Sequence, residues 1–123
     1  MTRKFENRKE RDMDVNFTAR RFKAHSDMKD YAFEEVRKLQ KFYDGITKAD
    51  VILSYERGVN SIKTAEVNLH VHAHMLSAKE TSDDFVKSLD AAVQKVTTQL
   101  RKYKSKLREK DKTKVRKLVR EKV

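Results

Sequence analysis

The chain has 123 residues, a formal net charge of +11, and neither cysteine nor tryptophan. That length makes one domain with tails, and the missing cysteines exclude a disulfide framework, a thiolate zinc site and a cysteine nucleophile, so the expected compartment is the reducing cytoplasm. No apolar run approaches the roughly 20 residues of a bilayer span, and the opening "MTRKFENRKERD" has neither a signal-peptide hydrophobic stretch nor the acid-poor composition of a transit peptide.

Residues 1–12 read as a flexible leader, and Met13 is an alternative start. In "MDVNFTARRF", Met13, Val15, Phe17 and Ala19 share one parity, while Asp14, Asn16 and Thr18 take the other. This is a strand with one buried face. From Ser26 to about Tyr43 the period changes: Met28, Ala32, Val36, Leu39 and Tyr43, with Phe42 beside them, recur at helical spacing. Ser26 or Asp27 is the expected cap, and Gly45 lies just beyond the end.

Strand alternation returns in "ADVILSYER", with Ala49, Val51, Leu53 and Tyr55 on one face. The turn "RGVNS" follows, where Gly58 and Asn60 are suited to positive φ. The next strand aligns Ala65, Val67, Leu69 and Val71, and a short strand near Met75 to Lys79 follows a tight turn around His72 to His74.

The segment "HVHAH" at 70–74 raises the question of a metal site, because alternate histidines on a strand share a face. No general base or glycine-rich phosphate loop accompanies His70, His72 and His74, and the turn interrupts their alignment. An outward His70 leading into a hairpin is the preferred reading, with no metal or cofactor expected.

Phe85, Leu89, Val93, Val96, Leu100, Tyr103 and Leu107 form one continuous helical stripe, led by Ser82, Asp83 and Asp84 as capping residues. A helix from Ser82 to Arg108 spans about 40 Å and must overhang strands of about 17 Å. Residues 109–123 are a basic tail, read either as a frayed continuation of the helix or as disordered. The order β-α-β-β-β-α predicts an α+β domain over 13–108: a four-stranded mixed sheet with both helices on one face, as in double-stranded-RNA-binding domains. The first two strands are expected parallel and the others antiparallel.

Charge is distributed unevenly along this plan. Residues 13–94 hold twelve basic and thirteen acidic side chains, whereas residues 95–123 hold thirteen and three. Lysine-rich C-termini are often no more than solvated tails, but a directed basic surface usually meets a polyanion. On the last helix Lys95 and Lys102 fall on one side of the buried stripe and Arg101, Lys104 and Arg108 on the other. Lys106 comes nearer the stripe, which is tolerable only beyond the sheet. Long flexible cations at this density suit a phosphate backbone.

The stretch "SDDFVKSLDAAVQKVTTQLRKYKSKL", preceded by "AEVNLHV" and "ITKADVILSYER", resembles the ribosome hibernation promoting factor family, also called ribosome-associated inhibitor or protein Y. The likeness covers about residues 13–107 and is densest on the last helix. There Asp84, Asp90, Lys95, Gln99, Leu100, Lys102, Lys104 and Lys106 match the family's spacing of aspartates, glutamine, leucine and lysines.

The resemblance implies a protein that is not an enzyme. It implies binding to the small ribosomal subunit and its 16S rRNA in the channel of messenger and transfer RNA, and ribosomes held idle in stationary phase or stress. The RNA-contact role it implies falls on Lys95, Arg101, Lys102, Lys104, Lys106 and Arg108, with Lys79, Lys87, Arg20 and Arg21 as secondary candidates. The chain resembles the family's short form, lacking room for a C-terminal dimerisation domain, so pairing of ribosomes would call for a separate small factor. Off the ribosome a monomer is expected.

It departs from the family pattern at Val86, where a tyrosine is usual, at Lys87, where alanine is usual, and at "HAH", where the family has a glycine-containing turn. A general double-stranded-RNA-binding module is the rival reading, and a strand before the first helix argues against it. A histidine-based metal enzyme is a remote third.

Overall fold

The computed structural model describes residues 13–58 and 61–122, with side chains to residue 110. The elements are β1 (Asp14–Arg20), α1 (Ser26–Phe42), β2 (Lys48–Glu56), β3 (Ile62–Val71), β4 (His74–Ser82) and α2 (Phe85–Lys122). They form the predicted α+β fold: one sheet in the order β1-β2-β3-β4, with β1 parallel to β2 and the remaining pairs antiparallel.

Strand parity decides what is buried. Met13, Ala49, Val51, Leu53, Ala65, Val67, Leu69, Val71 and Ala78 close one side of the sheet against Ala32, Val36 and Leu39 of α1 and Leu89, Ala92, Val96 and Leu100 of α2. Ile46, between α1 and β2, completes this core. Ser88 is a buried polar side chain, satisfied by the Lys63 carbonyl at 2.8 Å and the Ser82 hydroxyl at 2.7 Å.

The structure corrects several local expectations. The N-cap of α1 is His25, whose carbonyl accepts from the Met28 and Lys29 amides at 3.1 and 3.2 Å. Ser26 already lies inside the helix, and Asp27 contributes only its charge to the first turn. Gly45 does not terminate α1 by a left-handed turn. It is small because the Tyr43 ring passes 2.5 Å from where a Cβ would stand. Among the described residues of the β2–β3 connection, Ser61 has positive φ, at 39°, and Gly58 does not, while Asn60 lies outside them.

β4 extends beyond the expected five residues to nine, because its register with β3 continues to Ser82 opposite Lys63. Ser82 therefore belongs to the strand, and Asp84 caps α2 by accepting the Lys87 amide at 3.3 Å. The backbone of α2 stays helical to Lys122, 38 residues or about 57 Å, which is the helical continuation of the two readings given for the tail. The leader assigned to residues 1–12 lies outside the described residues.

Candidate nucleic-acid interface

α2 is the element on which a site is built. Its apolar stripe is buried as far as Leu100, and Tyr103 and Leu107 are half-buried. Tyr103 ends the docked part: its hydroxyl donates to the His72 carbonyl at 3.1 Å, and its ring meets those of Tyr43 and His74 edge-on at 5.9 and 5.6 Å. Beyond it the helix has left the sheet.

The predicted cations divide sharply by environment. Lys95 pairs with Glu80 of β4, Lys87 with Asp83 at 3.4 Å, and Arg21 with Glu56 at 3.8 Å from a backbone at φ 68°. Lys104 donates to the Phe42 carbonyl at 2.9 Å, placing a cation at the negative end of α1, and lies 4.6 Å from the Phe42 ring centre. Arg20 is exposed at the end of the edge strand β1, and Lys79 is exposed on β4 opposite Glu66.

Arg101, Lys102, Lys106 and Arg108 differ from these. All four are exposed, and among the described residues no carboxylate stands at ion-pair distance from any of them. Thr98, Arg101, Lys102, Ser105 and Lys106 line a shallow hollow along one face of the helix. Their spacing of three and four puts two hydroxyls and three cations on a strip about 12 Å long with no acid in it. Such a strip attracts phosphates while the body beneath stays neutral.

The outer sheet face has a different chemistry. Asp50 accepts from Asn16 Nδ2 at 3.1 Å and has His70 Nε2 at 3.1 Å. Partial burial pushes its carboxyl up in pKa, but these two hydrogen bonds outweigh it and hold the group below its ordinary value. Ser77 donates to Asn68 at 2.7 Å in the same row. Asn16 and Glu56 meet solvent as expected, while Ser54, Asn68 and His70 are half-covered by their neighbours.

His70 thus faces outward, His72 occupies the turn, and His74 turns toward Tyr103, so the three rings of "HVHAH" do not converge. Among the described residues no group of three His, Cys, Asp or Glu is arranged to hold a metal ion. No helix among them is long and apolar enough to cross a membrane.

Sequence reading passed over Phe22 and Tyr31. Phe22, in the link after β1, stacks on Phe85 with centres 4.6 Å apart. Tyr31 on α1 donates to Asp90 on α2 at 2.5 Å, and that bond, with burial, pushes its hydroxyl up to about 12. Neither pairing is foreshadowed by local periodicity, since both contacts join segments far apart in the chain.

A family model described as Sigma 54 modulation protein / S30EA ribosomal protein matches residues 15–108, from β1 to the departure of α2 from the sheet. The chain belongs to this family. The ribosome hibernation promoting factor of Klebsiella oxytoca is 30% identical over 97 residues, covering 79% of this chain and 99% of that protein. The factor of the same name from Azotobacter vinelandii is 29% identical over 94 residues, covering 76% and 85%. The resemblance drawn from the last helix therefore holds across the family domain.

Two solved structures share the fold. A ribosomal subunit interface protein from Coxiella burnetii superposes with a TM-score of 0.67 at 22% identity, covering 76% of this chain and 99% of its own. The N-terminal domain of Thermus thermophilus Protein Y gives 0.65 at 22% identity, covering 74% and 99%. The part of α2 beyond residue 108 lies outside the family match.

Proposed function

We propose that this protein is a non-enzymatic ribosome hibernation factor that binds the small ribosomal subunit through 16S rRNA, in the channel used by messenger and transfer RNA. It holds ribosomes inactive in stationary phase or stress. The observation that carries this reading is the acid-free strip of Arg101, Lys102 and Lys106 on a helix that projects from a neutral body. Family membership and relatives named for ribosome hibernation support the same partner.

The sheet's open face is a poor rival for RNA. Its exposed Arg20, Lys48 and Lys79 are mixed with exposed Asp14 and Glu56 and half-buried Asp50 and Glu66, and among the described residues no phenylalanine or tyrosine of the strands has the outward parity to stack a base. The leading strand β1 also sets this fold apart from the general double-stranded-RNA module. The protein acts as a monomer in the cytoplasm.

Sucrose-gradient sedimentation of extracts from growing and starved cells tests the proposal. The protein is expected with small subunits and intact ribosomes after starvation. Its confinement to the top of the gradient under both conditions would sink the reading.

A further inference from the structure

Where α2 leaves the sheet, the carboxyl end of α1 brings an aromatic ring against the basic strip. Phe42 is the last residue of α1 and leaves 36% of its surface open. Lys104 Nζ and the Arg101 guanidinium carbon stand over its ring, 4.6 and 6.0 Å from the centre. The neighbouring Tyr43 turns the other way and packs on Tyr103, so the two aromatics at this helix end divide their work. Tyr43 closes the core, and Phe42 is held out beside cations.

An apolar ring kept open among positive charges is complementary to a ligand with a flat π-face and attached phosphates. An apolar peptide covering Phe42 would have to desolvate Arg101 and Lys104 without a compensating anion. A nucleotide brings that anion with it. Duplex RNA buries its base faces, whereas an unpaired base exposes one.

We propose that Phe42 is a stacking platform for an unpaired base of single-stranded RNA, with phosphates of the same strand held by Arg101, Lys102 and Lys106. This deepens the RNA-binding reading above and rests on it.

The test titrates the full-length protein into two fluorescently labelled oligomers of equal length and phosphate number, oligouridine and its abasic counterpart, at two salt concentrations. Wild type is expected to prefer the base-bearing strand by about tenfold, the range of stacking on one aromatic. Phe42→Leu retains the cations and loses the ring: its affinity for the abasic strand stays and the preference falls toward one. Phe42→Tyr retains the preference.

Equal binding of both oligomers by wild type, with steep salt dependence, would overturn the stacking platform and leave the electrostatic reading standing. Failure to bind either would overturn both. A full preference in Phe42→Leu would also overturn the platform, and melting curves of the variants establish that each is folded.

Discussion

Ala73 holds φ at 61° in the two-residue turn between Val71 and His74, a left-handed conformation that a Cβ makes costly by about 1–2 kcal/mol. The family resemblance places a glycine turn here, and the structure supplies the reason. Ala73→Gly is expected to stabilise the fold by about 1 kcal/mol, once the greater freedom of the unfolded chain is subtracted, read as a higher midpoint in thermal or urea melts. A lower midpoint would show that the turn is not strained.

Tyr31 makes the second argument at this scale. Its hydroxyl is bound to Asp90, and its folded pKa near 12 lies above the ordinary 10.0. The stabilisation is therefore complete below pH 10 and lost as pH rises through 12. Tyr31→Phe is expected to cost about 1–2 kcal/mol at neutral pH, a hydrogen bond to a carboxylate at a half-buried site, and the difference from wild type should close at high pH. Urea melts at both ends of that range check the sign.

At the scale of the element, α2 serves two purposes at once. Of the residues that carry the family likeness, Asp84 caps the helix, Asp90 ties it to α1, Lys95 pairs with Glu80, Gln99 donates to the Ser77 carbonyl at 2.7 Å, and Lys104 caps α1. These fasten the helix to the domain. Lys102 and Lys106 fasten it to nothing described, and on the proposed function they are the lysines left to contact RNA. Charge reversal at Lys102 and Lys106 is expected to abolish co-sedimentation with small subunits while leaving the melt within about 0.5 kcal/mol of wild type, as exposed sites allow. Lys95→Glu, facing Glu80, should instead lower stability as well as binding. Equal behaviour of the two variants would refute this division of labour.

For the whole molecule, the decisive property is separation: a folded body near neutrality and a helix that carries the excess charge away from it. Residues 109–122 carry seven basic and three acidic residues along the continuing helix backbone. Deleting them removes no described core contact, so a cooperative melt should survive. Affinity for small subunits should fall, and the log-log salt slope should shrink by up to about 3, for at most four phosphates released. An unchanged slope would place the segment outside the interface, and loss of folding would make it part of the core.

Element order, sheet topology, both buried helix faces and the general location of the basic surface were legible in the chain alone, because periodicity and charge are local properties written residue by residue. Val67 and Leu69 are core by parity, and Val96 and Leu100 by helical spacing, whatever lies opposite them. What each polar residue does was not legible. The same lysine spacing yields an internal ion pair at Lys95, a helix cap at Lys104 and an open charge at Lys102, and only the packing of α2 on β4 and α1 separates them. Likewise the three histidines of 70–74 share a parity in sequence, but the hairpin sends one outward, one into the turn and one against Tyr103. Direction in space depends on where the chain turns and what it meets, and tertiary contacts alone decide that.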